Sequence, residues 1–340
     1  MEAAKILPSS GKAQEVTLLT LESSPMMLYG EGITTVQFYD GSLDKAVVVL
    51  KERLAAVAKL NGWIGSSLIR QQDKVAMRYD AEAFPMDEVL QVNMDLTLHE
   101  GMAYNDMMKK GSSAGVPSGN TLLKNGKPVT KLTICPRSNG KDGANSNSGG
   151  FAVVLSMSHT VADGYTYYAI LNMLASGVEP YAMVVTRDDS LRDSYPEQVG
   201  KGEYDRMLNP DLCTICKYIG AAMTAKSNPP LVRLVDKAKL AEMKESARSE
   251  DGAAAFVSTN DIITAGFARA VNAREITMAM DFRGRVEGLT KEHAGCYHFG
   301  LVYVFILLYY CSSFLFLFVA SLSLSFSLSL IHLLLRACIL

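Results

Sequence analysis

Three short stretches of this chain carry residue types that can do chemistry. The first is Ser158-His159-Thr160-Val161-Ala162-Asp163-Gly164. A neutral imidazole takes up a proton near neutral pH, so a His at the mouth of a buried strand is well placed to act as a general base. Asp163, four residues on, can orient that His or be tied elsewhere in a structural ion pair. Gly164 permits a backbone conformation or a close approach that a Cβ forbids. Spacing alone leaves a plainer alternative open, in which a loop His, a helix-capping Asp and a turn Gly happen to adjoin. The second stretch, Gly111-Ser112-Ser113-Ala114-Gly115, satisfies G-x-S-x-G. That pattern makes a nucleophile only when a strand precedes the Ser and a helix follows it. Met-Met-Lys-Lys before it and Val-Pro-Ser-Gly-Asn after it read as loop, so the match is coincidental. The third, Cys213-x-x-Cys216, has neither a second pair nor a nearby His, and no metal is expected there.

Residues 151–157 (FAVVLSM) form a short apolar run that suits a buried strand, and a helix follows Gly164 to about residue 175, stopped by Ser176-Gly177. Upstream, Ser42 to Leu60 places Leu43, Ala46, Val47, Leu50, Leu54 and Val57 on one helical face, with Ser42 as its cap and Gly62 beyond its end. Ser67–Arg70 and Val75–Tyr79 flank a polar turn and read as a hairpin. Composition makes Lys109–Asn120 and Arg137–Gly150 loops. Downstream, Leu234–Ala247 is amphipathic, Ser258 and Asp261 match a capping box before a helix over Ile262–Val271, and Glu275–Phe282 alternates as a strand. Interleaved helices and strands make the class α/β (α+β).

A length of 340 residues exceeds one average domain, so two lobes are expected. With 33 basic and 35 acidic residues the net charge of −2 argues against nucleic-acid binding. Six scattered Cys make no disulfide framework, and the first twenty residues carry no signal segment, so the body reads as cytoplasmic and reduced. The tail differs in kind, since Arg336 is the only charged residue after His298. Residues 299–320 are long and apolar enough for one transmembrane helix and so for membrane contact. Ser321–Leu330, SLSLSFSLSL, is also what a CT dinucleotide repeat encodes, which makes translated non-coding sequence the second reading of the tail.

The run His159-Thr160-Val161-Ala162-Asp163-Gly164 resembles the H-x-x-x-D-G motif of acyl-CoA-dependent acyltransferases related to chloramphenicol acetyltransferase. Its surroundings resemble the plant and fungal BAHD branch in the right order. Leu50–Leu54 with Gly62-Trp63-Ile64-Gly65 looks like that family's early helix and turn. Phe151–Gly164 with Tyr168–Leu171 looks like its catalytic strand and helix. Lys239–Lys244 with Val257–Asp261 looks like its second-domain entry, and Met280–Arg285 resembles its strand ending in R-x-R.

The resemblance implies a two-lobed sandwich with acyl-CoA entering a tunnel from one side and a small alcohol or amine from the other. It makes acyl-CoA a cosubstrate, with no bound cofactor, and the protein a monomer. His159 is then the general base. Asp163 points away from the substrate and pairs with an Arg, for which Arg283 is the first candidate and Arg285 the second; Gly164 completes the support of the site. The implied division is 1–177 for the lobe carrying the motif, 178–298 for a crossover and partial second lobe, and 299–340 for the tail. The family continues past the R-x-R strand to a D-F-G-W-G-like motif, which Asp281-Phe282-Arg283-Gly284 is not, so the second lobe is expected to be incomplete. An inactive, membrane-tethered fragment is the alternative. A peptide-synthetase condensation domain is disfavoured, because that branch carries a second His where Ser158 stands here.

Overall fold

The structure is a computed structural model that describes residues 13–138, 150–208, 235–249, 256–271, 273 and 275–304. They fall into two compact units, the first running to Asp193 and taking back Asp281–His298. The segment carrying Arg283 therefore packs with the unit that carries His159, rather than dividing from it at residue 177.

The first unit runs β1 (Gln14–Thr17), α1 (Pro25–Tyr29), β2 (Ile33–Asp40), α2 (Leu43–Leu60), β3 (Ser67–Gln71), β4 (Lys74–Tyr79), α3 (Met86–Val89), β5 (Leu90–Val92), α4 (Tyr104–Ser113), α5 (Gly119–Asn125), β6 (Thr130–Pro136), β7 (Gly150–Met157) and α6 (Gly164–Met173). A four-stranded sheet has the order β2-β7-β6-β5, and a three-stranded sheet the order β1-β4-β3. β7 pairs antiparallel with both neighbours, setting Met157 opposite Ile33 on one side and Thr130 on the other. Its apolar run lacks alternation because it is central, with Ala152 to Met157 buried on both faces. α2 lays Ala46, Leu54, Val57 and Ala58 against the core, and the Ser42 hydroxyl accepts from Lys45 N at 3.4 Å.

The loop expected over Lys109–Asn120 narrows to residues 114–118, with the end of α4 before it and the start of α5 after it. Gly111 and Gly119 there serve close packing. A Cβ on Gly119 would lie 2.2 Å from the Thr160 hydroxyl, so α5 sits directly on the His159 loop. The G-x-S-x-G stretch runs out of that helix instead of joining a strand to a helix, and Ser113 Oγ donates to Lys110 O at 2.7 Å. Most of the second polar stretch, residues 139–149, lies outside the described residues, as do Cys213 and Cys216.

The described part of the second unit holds α7 (Tyr195–Val199), α8 (Lys201–Leu208), α9 (Lys237–Ser249), α10 (Thr259–Ala270) and the pair β8 (Glu275–Asp281) with β9 (His298–Val304). The capping box closes as expected, Ser258 Oγ accepting from Asp261 N at 3.1 Å and Asp261 Oδ2 from Ser258 N at 2.8 Å. Residues 299–304, read as the start of a transmembrane helix, are strand β9, where Phe299 stacks on Tyr204 with centroids 5.0 Å apart. An apolar run a few residues long fits a buried strand as well as a helix, and here pairing with β8 decides it. The rest of that span lies outside the described residues, among which no helix is long and apolar enough to cross a membrane.

Candidate active site

The site begins where β7 ends. Ser158 N donates to Val129 O at 2.8 Å, holding the chain beside β6, and Val161 N closes a turn onto Ser158 O at 3.1 Å. Ser158, Thr160, Val161, Ala162 and Asp163 are buried, and only His159 of this loop is half-buried. The Nδ1 of His159 is enclosed and meets no hydrogen-bond partner.

Asp163 turns away from His159. Its Oδ1 caps α6 by accepting from Thr166 N at 2.9 Å. Its Oδ2 accepts from Arg283 Nη1 at 2.8 Å and Tyr297 N at 3.2 Å. His298 Nδ1 stands 3.9 Å from Oδ2, too far for a hydrogen bond but close enough for a polar contact. Burial pushes this carboxyl up, yet His298, Arg283 and the Thr166 amide together outweigh it and hold the group at about 2.

Arg283 is fully committed. Nη1 donates to Asp163 and, at 2.8 Å, to Asp281 Oδ1; Nη2 donates to Thr166 Oγ1 at 3.1 Å and Gly295 O at 2.6 Å; Nε donates to His293 O at 2.8 Å. Those bonds use all five N–H groups of the guanidinium. The rings of Tyr165 and Tyr297 lie 4.7 and 5.5 Å from its central carbon. Burial lowers its basicity, and Asp163 and Asp281 more than restore it, so the cation is held above its ordinary range.

Of the two arginines expected near Asp163, then, Arg283 pairs with it, whereas Arg285 is exposed and does not. Gly164 is also not what its type suggested. Its φ is not in the left-handed region, and a Cβ there would meet nothing within 4 Å. It sits exposed at the first turn of α6.

Sequence reading missed several neighbours. His298 stands with its ring centroid 6.0 Å from that of His159, and its Nδ1 is likewise enclosed without a hydrogen-bond partner. The Cys296 thiol donates to His159 O at 3.3 Å. Glu22 and Arg187, buried and paired at 3.1 Å, reach the same loop. A lone charge in LLTLE and in MVVTR was the only signal for that pair. Among the described residues, no group of three or more His, Cys, Asp or Glu side chains is placed to hold a metal.

No family model and no curated protein matches this chain. Solved structures do. The structure of F. sporotrichioides TRI101 complexed with coenzyme A and T-2 matches at a TM-score of 0.50 and 16% identity, over 85% of this chain and 68% of that one. F. graminearum TRI101 complexed with ethyl coenzyme A matches at 0.50 and 15%, over 86% and 70%. The first condensation domain of the CDA synthetase matches at 0.50 and 15%, over 86% and 70%. At this identity the likeness shows that the chain shares the fold of these structures. Because the acyltransferase and the condensation domain match equally well, this fold by itself does not separate their chemistries. That distinction has to come from the residues of the loop.

Proposed function

We propose that this chain transfers an acyl group from acyl-CoA to a hydroxyl or amine of a small molecule, with His159 as general base. The observation that carries the reading is the loop itself. One half-buried imidazole stands at the end of the central strand, and the carboxylate four residues away is fully engaged with Arg283 rather than with that imidazole. With Nδ1 enclosed, the reading assigns the proton transfer to Nε2. Neutral His159 takes the acceptor's proton as its oxygen or nitrogen attacks the thioester carbonyl. The tetrahedral adduct then expels the CoA sulfur, which receives the proton from the imidazolium. Ser158, where the resemblance gives condensation domains their second His, favours acyl-CoA chemistry over amide-bond assembly. The coenzyme A held by TRI101 on the same fold supports that choice.

The test is release of free CoA thiol from acetyl-CoA, with a panel of aliphatic and phenolic alcohols and amines, by the full chain and by His159→Ala. The wild type is expected to release acceptor-dependent thiol, and the variant to fall by about 10²–10⁴-fold with its melting midpoint unchanged. Equal rates for the two proteins would sink the mechanism. No turnover by the wild type would favour the inactive fragment.

A further inference from the structure

We propose that the Glu22–Arg187 ion pair is a second positioning device for His159, beside Asp163–Arg283. Both side chains are almost wholly enclosed, with 0% and 1% of their surface exposed. A buried ion pair adds little net stability over well-packed apolar residues, so what its hydrogen bonds hold in place is the informative quantity.

Those bonds converge on the catalytic loop. Arg187 Nε donates to Glu22 Oε1 and Oε2 at 3.2 and 3.1 Å, Nη1 to Val185 O at 2.7 Å, and Nη2 to Val161 O at 3.0 Å. Glu22 Oε2 accepts from Leu19 N at 3.0 Å, and Oε1 from Cys296 N at 2.8 Å. The Cys296 thiol in turn bonds His159 O. The carbonyls of residues 159 and 161 are thus both taken by groups that this pair fixes, which sets the 159–160 and 161–162 peptide planes. Gly295 shows how closely the strip lies on the pair. Its φ is +124°, and a Cβ there would come within 2.7 Å of Arg187 Nε and 2.9 Å of Glu22 Oε1. The same strip joins the two devices, since Gly295 O accepts from Arg283, Cys296 N donates to Glu22 and Tyr297 N to Asp163.

The deciding variant is Glu22→Gln/Arg187→Met, which keeps volume and removes both charges and the bond to Val161 O. The control is Glu15→Gln/Arg78→Met, which removes an exposed pair closed at 2.7 Å. Amide hydrogen exchange over residues 158–163 is expected to quicken by about tenfold or more in the first variant, with its melting midpoint within a few degrees of wild type, and to stay unchanged in the control. In the acyl-transfer assay kcat is expected to fall by about tenfold, while KM for acetyl-CoA moves less than about threefold. Only this kinetic arm rests on the acyl-transfer reading. A wild type without turnover defeats that reading and leaves the exchange comparison to decide the positioning role. If the double variant melts far below wild type, Arg187→Lys serves instead, because it keeps the charge but offers one nitrogen where three acceptor sites need reaching. Unchanged exchange in a folded variant, or a loss confined to KM, would overturn the proposal.

Discussion

Replacing Arg283 with Ala should cost the first unit about 3–5 kcal/mol at pH 7, and the structure says how that loss should vary with pH. The variant strips Asp163 of its charged partner, takes the donor from His293 O and leaves Gly295 O with the Thr166 hydroxyl alone. Asp163, whose side chain is 5% exposed, keeps only the Thr166 and Tyr297 amides. Breaking a buried pair from one side typically costs about 3–5 kcal/mol, because the surviving charge stays in a poorly solvating place. A second route to the magnitude is the titration of Asp163. Its carboxyl sits at about 2 in the fold against 3.8 ordinarily, a shift on the order of 2 kcal/mol that Arg283 shares with His298 and the Thr166 amide. The folded value lies below the unfolded one, so this part is fully present above pH 4 or so and drains away as pH falls through about 2. The assay is a urea titration followed by the fluorescence of Trp63, the chain's single tryptophan, which is 2% exposed and donates from its indole to Asn61 Oδ1 at 3.3 Å. The gap between wild type and variant should narrow by about 1–2 kcal/mol between pH 5 and pH 2, since the wild type there loses the share of this stabilisation that Arg283 supplies. A gap under about 1 kcal/mol at pH 7, or one flat in pH, would refute the account of Asp163 as a charge held by Arg283.

Three further substitutions separate the parts of this arrangement. Asp163→Asn keeps an oxygen for Thr166 N but loses the charge, so in the same titration it should cost about 1.5–3 kcal/mol, less than Arg283→Ala, and it should also lower acyl transfer. Gly295→Ala forces a side chain onto the Glu22–Arg187 pair at a left-handed φ, and a loss of about 2–4 kcal/mol is expected; a loss below about 0.5 kcal/mol would show that the strip can shift. Gly164→Ala adds a methyl group to open space at an ordinary φ, so thermal melting should show it neutral to stabilised by up to about 1 kcal/mol. A clear destabilisation would mean that the first turn of α6 is more crowded than its geometry shows.

What was legible in the sequence was what local forces settle. The face of α2, the apolar run of β7 and the capping box at Ser258 each depend on residues a few positions apart, and each forms where its pattern places it. The errors came where tertiary contact overrides composition. Glycine and serine around the ends of α4 and α5 signalled loop, but Gly111 and Gly119 let the helices lie against β2 and against the loop around Thr160. Phe299 and its successors signalled membrane, but strand pairing claimed the first of them. Asp163 and Arg283 lie 120 positions apart, and only a family resemblance could suggest their meeting. Glu22 and Arg187 are 165 apart with no motif around either, and a lone charge beside apolar residues does not say which partner it meets.

The division of labour within the loop follows from these bonds. A general base has to hold its proton affinity near the working pH and present a free lone pair. Asp163 fails on both counts, since its carboxyl is held at about 2 and both its oxygens are already accepting. It also makes no hydrogen bond to His159 among the described residues, so it cannot fix that imidazole's tautomer directly. Its influence on any reaction must pass through the backbone, by way of the capped start of α6 and the strip at Gly295–Tyr297. An Asp163→Asn enzyme with acyl transfer impaired should therefore retain the pH midpoint of the wild type and lose rate in proportion to loop mobility. A shifted midpoint would instead mean that Asp163 acts on the imidazole itself.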